Sequence, residues 1–224
     1  RQTTFSVVGV PGCGKSYFLV AFSWEARRVL PNRFGLRFAD VDPGINGLLN
    51  RYEEMLFLQE DGESPVYLDK TQIHGSHYDQ VNLGGQPTLL AHPFLFALGA
   101  ADDDPSASRV LCFYDNAGEH FYPGGDTTLA PGSRHVALAD TLLFLYDPLQ
   151  DPRFRERCRA FSSDPQLSLA PRAQRQDTVL TEAAERVRRY AGLSPSRKLQ
   201  QPLIVVVAKA DVWGGPLAGI DLAQ

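Results

Sequence analysis

The residues whose types and spacing most clearly imply chemistry are Gly9-Val10-Pro11-Gly12-Cys13-Gly14-Lys15-Ser16, which fit G-x-x-x-x-G-K-[ST]. That chemistry is anion binding. Successive backbone N–H groups of a glycine-rich turn form a nest for phosphate oxygens, and a helix that starts directly after it directs its partial positive charge at the same oxygens. Lys15 would add a mobile cation for the terminal phosphates of a nucleoside triphosphate, and the Ser16 hydroxyl would ligate Mg²⁺. Pro11 and Cys13 inside the turn and Tyr17 just after it complete the residues expected around the phosphates.

A strand must lead into such a turn and a helix must leave it. Residues 4–10 are a short apolar run of strand character, and Phe18, Leu19, Phe22, Ala26 and Val29 then recur at helical spacing. Residues 33–42 alternate apolar and polar and end in Asp42-Pro43-Gly44, which reads as a strand and a turn, with a helix expected over 45–60. Residues 61–87 carry Gly62, Pro65, Gly75, Gly84, Gly85 and Pro87 and read as an irregular, mobile loop in which Val66-Tyr67-Leu68 can pair briefly. The apolar stretch 89–98 and the strand 109–114 form an expected antiparallel hairpin around a turn at Asp102-Asp103-Asp104. Beyond it come a short helix near 135–139, a strand over 141–146, helices over 153–161 and 172–190, and the most apolar strand at 203–208. Continuous apolar strands alternating with helices indicate an α/β fold, a mostly parallel sheet covered on both faces with an antiparallel hairpin at its edge.

Two further stretches join the first. The strand 110–114 delivers Asp115, followed by Asn116-Ala117-Gly118-Glu119, a D-x-x-G spacing. A carboxylate at the end of a strand beside the phosphate loop can hold Mg²⁺ through water, and a glycine three residues later lets a backbone N–H reach a γ-phosphate. Alone, this spacing is common in turns. Its place after a hairpin and downstream of the loop gives it weight. Ala208-Lys209-Ala210-Asp211 follows Leu203-Ile204-Val205-Val206-Val207 directly and is similar to the [NT]-K-x-D guanine motif of GTPases.

In this order and on these strands, the three stretches resemble the Ras-like, translation-factor-related class of P-loop GTPases over residues 3–213. The resemblance implies a three-layer P-loop fold with GTP or GDP and Mg²⁺ as ligands. It assigns Gly9, Gly12, Gly14, Lys15 and Ser16 to phosphates and metal, Asp115 to metal, and Gly118 to the second switch. Lys209 would lie along the base, and Asp211 would accept two hydrogen bonds from the guanine edge. It also implies a first-switch Thr whose hydroxyl and carbonyl sense Mg²⁺ and γ-phosphate. Thr88, in Pro87-Thr88 before the hairpin strand, is the choice for metal and nucleotide, and Thr71 is the second.

The chain also departs from that pattern. Ala208 stands where Asn or Thr braces the base loop, which lowers the expected base affinity or selectivity. Glu119 stands where a water-orienting Gln is usual, and its charge beside a γ-phosphate is unfavourable unless a cation offsets it. His120 can share the role, so Lys15, Glu119 and His120 are the catalytic candidates, with solvated switch residues an equal reading of the last two. Pro11 lies beside the path of an arginine finger. The strand and helix at 33–62 are an insertion relative to ordinary small GTPases. With the long glycine-rich switches and Leu143-Phe144-Leu145-Tyr146-Asp147-Pro148, they resemble bacterial GTPases of the tandem double-GTPase type found in conflict and defence loci. Against the family, a C-terminal strand and helix after the base motif are expected to be lacking.

Composition bounds the rest. A 224-residue chain with 43% hydrophobic residues suits one domain with an insertion. The net charge of −4 argues against a general nucleic-acid surface. Three widely spaced cysteines fit a reducing, cytoplasmic setting, and no apolar run approaches the ~20 residues of a transmembrane segment. The arginines of 153–159 and 172–189 read as solvated helix faces, or as a docking surface for an acidic partner. His74 and His77 lack the partners a metal site needs. Three functions stay open: a slow Mg²⁺-dependent GTPase switch acting on a protein effector, with a homodimer or tandem GTPase pair as one arrangement; a non-hydrolysing nucleotide-binding module; and a P-loop ATPase or small-molecule kinase.

Overall fold

The computed structural model describes residues 1–59, 66–68, 78–83, 86–100, 108–121, 134–168, 175–194 and 196–214. The β-branched and aromatic run Gln2–Val8 forms β1 and becomes buried toward Val8. After the glycine-rich turn, Lys15–Phe34 forms α1, with Leu19, Val20, Ser23 and Ala26 buried at helical spacing. The helix runs past Pro31, which lies in its last turn, and stops at Gly35, whose φ of 62° is left-handed. The strand expected from residue 33 is therefore shorter: β2 spans Leu36–Asp40, and α2 follows at Gly47–Phe57.

The loop expected over 61–87 is in part a hairpin. Strand β3 (Tyr78–Leu83) pairs antiparallel with β4 (Gln86–Ala91) in a separate two-stranded sheet. Gly84-Gly85 between paired Leu83 and Gln86 is a hairpin signal that outweighs the surrounding glycines and prolines. The strand expected over 89–98 also divides, because Pro93 has no N–H for a continuous ladder and opens a new strand. That strand, β5 (Pro93–Ala100), pairs antiparallel with β6 (Arg109–Asp115) as expected. Then come α3 (Arg134–Leu138), β7 (Thr141–Tyr146), α4 (Pro152–Arg159), α5 (Gln176–Tyr190), β8 (Leu203–Val207) and the short α6 (Ala210–Trp213). Thr71, His74, His77 and Asp102-Asp103-Asp104 lie outside the described residues.

The main sheet has the order β2-β5-β6-β1-β7-β8. Strand β1 is parallel to β6 and β7, and β7 to β8, while β2 and β5 add the antiparallel pairings at one edge. Helices cover two faces. On one, Phe22 of α1 packs on Phe113 and Phe38, and Phe5 stacks on Phe113. On the other, where Ser6 and Tyr114 point, Tyr114 stacks on His135 of α3, and α3 packs against α5. The chain is thus α/β with a mostly parallel sheet. Strand β8 departs from the expectation of full cover. Leu203, Ile204, Val205 and Val207 are about half exposed because the strand is an edge, which an apolar run alone does not reveal.

The segment of β2 and α2 closes the opposite edge through one polar cluster. The Arg27 guanidinium pairs with Asp40 at 2.7 Å and with Glu53, which Ser23 also contacts. The Asn46 amide donates to Leu95 O at 2.9 Å and accepts from Leu95 N–H at 2.9 Å, extending the ladder of β5 by a side chain. Among the described residues, no helix is long and apolar enough to cross a membrane.

Candidate functional site

Strands β1, β6, β7 and β8 are parallel, so the segments leaving their C-terminal ends emerge on the same side of the sheet. Those segments carry Gly9–Ser16, Asp115–Gly118, Asp147 and Lys209–Asp211. Parallel pairing is the reason residues so far apart in sequence meet.

After β1, Gly12 and Gly14 have φ of 76° and 99°, a left-handed geometry that disfavours any residue with a β-carbon by about 1–2 kcal/mol. Gly14 caps α1 without a side-chain hydrogen bond, and the first turn of α1 has no acidic residue to compete for its N–H groups. The buried Lys15 side chain folds back over the loop, where Nζ donates to Gly9 O at 3.1 Å and Val10 O at 3.2 Å. Cys13 is fully buried, and a β-carbon on Gly9 would lie 2.7 Å from its Sγ. Its thiol points into the core, so only the Cys13 backbone can meet a ligand. Burial pushes that thiol up; Lys15 and Lys209 pull it down, and Asp147 and Asp115 push it further up.

At the end of β6, the buried Asp115 accepts a 2.6 Å hydrogen bond through Oδ2 from Ser16 Oγ. Gly118 packs on the glycine-rich loop so closely that a β-carbon there would lie 2.6 Å from Pro11 N and 2.9 Å from Gly9 O. Between them, the buried Asn116 donates through Nδ2 to Ser6 Oγ (2.9 Å) and Val7 O (2.8 Å). Its Oδ1 is left to accept from His135 Nε2, which fixes the imidazole tautomer. Glu119 and His120 fall in the 3₁₀ turn Gly118–Phe121. Phe121 anchors that turn, buried beneath the Arg186 guanidinium at 5.2 Å. Arg186 and Arg155 are each only 6% exposed, so the reading of uniformly solvated arginine faces is corrected at these two positions. Arg186 is used against an aromatic ring, and Arg155 donates to Gln166 O at 2.7 Å.

At the end of β8, Lys209 takes φ 60° and ψ 36°, the only positive φ outside glycine among the described residues. Its Nζ lies 2.9 Å from Oδ2 of the fully buried Asp147. Ala208 donates its N–H to Tyr146 O at 2.8 Å and accepts through its carbonyl from Trp213 Nε1 at 3.0 Å. Asp211 is exposed in the first turn of α6 and accepts from Gln166 Nε2 at 3.2 Å.

Two further expected site residues have these surroundings. The Tyr17 hydroxyl donates to Val66 O at 3.0 Å and accepts from Leu68 N–H at 2.9 Å, so its side chain clasps 66–68 instead of turning to the loop. Val66-Tyr67-Leu68 forms no strand, and its backbone is bound by this hydroxyl instead. Thr88 stands in β4 opposite Val81, in the separate two-stranded sheet. Sequence reasoning missed Asn116, Asp147 and Gln176 as parts of the site. Asp147-Pro148 after a strand signals a capped turn, and Asn116 sits inside the D-x-x-G stretch, but Gln176 carries no local signal. No family model matches this chain, and no curated protein matches it.

Proposed function

We propose that this chain is a Mg²⁺-dependent guanine-nucleotide switch with a P-loop GTPase fold, which hydrolyses GTP slowly and acts on a protein partner. The observation that carries the reading is the 2.6 Å contact between Ser16 and Asp115. It joins the phosphate-loop and D-x-x-G residues at a point where Gly118 also abuts Gly9 and Pro11. Ser16 and Asp115 supply a hydroxyl and a carboxylate oxygen side by side, a donor set that fits Mg²⁺, which takes few protein oxygens and completes its shell with phosphate and water. An ion held by these two residues would supply positive charge to offset that of the β- and γ-phosphates.

The chain's own groups do the rest. Lys15 exchanges its bonds to Gly9 O and Val10 O for phosphate oxygens and stabilises the charge that builds during in-line attack by water. The N–H groups of the loop and of the first turn of α1 orient the phosphates. Gly118 presents a backbone N–H, and Glu119 or His120 orients the water. Lys209 and Asp211 select the base. Competition between GTP and ATP for a fluorescent triphosphate tests the reading. GTP should win, and Lys15→Ala should weaken binding by about 100-fold or more and abolish phosphate release. Equal or tighter ATP binding overturns the guanine assignment, and unchanged hydrolysis in Lys15→Ala overturns the mechanism.

A further inference from the structure

Residue 208 cannot brace the base loop, since Ala208 offers only its backbone, and Lys209 is nevertheless held in a left-handed conformation that an L-residue rarely adopts. Something outside the motif must hold it. Asp147, at the C-terminal end of β7, supplies the contact: its Oδ2 lies 2.9 Å from Lys209 Nζ while the residue itself is wholly buried. A buried carboxylate needs its orientation fixed to be useful. Here Oδ1 accepts from Leu149 N–H at 3.0 Å, and Oδ2 also accepts from Gln150 Nε2 at 3.1 Å. The backbone is fixed as well. The side-chain amide of Gln176, the first residue of α5, accepts from the Asp147 N–H at 2.7 Å and donates to the Asp147 carbonyl at 2.9 Å. Gln176 thus imitates a neighbouring strand at the point where β7 ends.

We propose that Asp147 is the positioning residue of the base loop and Gln176 its support, so that the brace absent at position 208 is supplied by β7 and α5. Asp147 acts through Lys209 and does not touch the nucleotide. The inference rests on the guanine reading of Lys209–Asp211, and the test separates the two. Dissociation constants for GTP and ATP are measured by competition on the full chain for Asp147→Asn, Lys209→Gln, the double variant, and Gln176→Met. Asp147→Asn should weaken GTP about tenfold and ATP less than about twofold, which lowers the GTP/ATP selectivity. The double variant should be no weaker for GTP than Lys209→Gln alone, because the two residues act as one unit. Gln176→Met, which leaves the carboxylate in place, should reproduce part of the selectivity loss, and it serves if Asp147→Asn does not fold.

Additive losses in the double variant, or a GTP/ATP ratio unchanged in both Asp147→Asn and Gln176→Met while the wild type prefers GTP, overturn the inference and leave the guanine reading standing. A wild type without preference for GTP overturns that reading first.

Discussion

At the glycine-rich loop, Gly118 packs against backbone atoms of Pro11 and Gly9, while after β8 Lys209 is held by Asp147, just beyond β7, which Gln176 of α5 supports in turn. The first arrangement contains almost nothing that can adjust. Glycine is required at 118 because the space a β-carbon would enter is filled by main chain, which cannot rotate away as a side chain can, whereas Gly12 and Gly14 are required by their positive φ. The second arrangement is a chain of side-chain contacts, from Gln176 to Asp147 to Lys209, each replaceable and each adjustable. On the proposed function the contrast separates two tasks: a phosphate site must present fixed N–H groups at one spacing, whereas a base site is selective through a few oriented polar groups. Rigidity by close packing suits the one, and rigidity by hydrogen bonds suits the other.

The largest effect is expected at Gly118. Gly118→Ala should destabilise the fold by about 3 kcal/mol, read as a shifted urea midpoint, and should also displace the phosphate loop, read as lost triphosphate binding. A variant of wild-type stability that still binds nucleotide would mean that the contact between the two segments is loose. The matching change at the base end is Trp213→Phe, which removes the indole N–H from Ala208 O and keeps the ring. It should cost about 1 kcal/mol or less, with phosphate affinity unchanged. A loss as large as that of Gly118→Ala would erase the distinction.

The smallest effect is invisible at pH 7 and grows in alkali. Burial raises the Cys13, Cys112 and Cys158 thiols, and it pushes Tyr114 up to about 12 from 10.0. Each folded-state value lies above its unfolded one, so the unfolded chain releases these protons first as pH rises. The stability they contribute is complete below the unfolded thiol range, near pH 8.5–9, and is lost as pH climbs toward the folded values. Urea midpoints should therefore decline from about pH 9 upward, and Cys13→Ala should flatten that decline. A midpoint constant to pH 10.5 would contradict the burial of these groups at both ends of the site.

Much of this was legible before folding was considered. The turn at Gly9–Ser16 was legible because its requirement is local: left-handed glycines, a helix start and a lysine within eight positions. The strand 141–146 and the helices over 153–161 and 172–190 followed from apolar periodicity and came within a few residues of β7, α4 and α5. The β3–β4 hairpin is masked by the glycine and proline density around Gly84-Gly85, and the break at His92-Pro93 is masked by the continuous apolar character of 89–98, which outweighs a single proline. The exposure of β8 could not have been read, since a run such as Leu203–Val207 looks the same at the centre of a sheet and at its edge.

What depends on neighbours along the chain could be read from the residues: the glycine-rich turn at Gly9–Ser16 with the strand before it and the helix after it, and the elements β6, β7, α5 and β8. The tertiary structure alone decided that Ser16 meets Asp115, that Arg186 covers Phe121 instead of facing water, and that Lys209 is held by Asp147 and Gln176. Those contacts arise where parallel strands bring distant segments to one side of the sheet. Sequence spacing holds no information about such a meeting until the strand order is fixed.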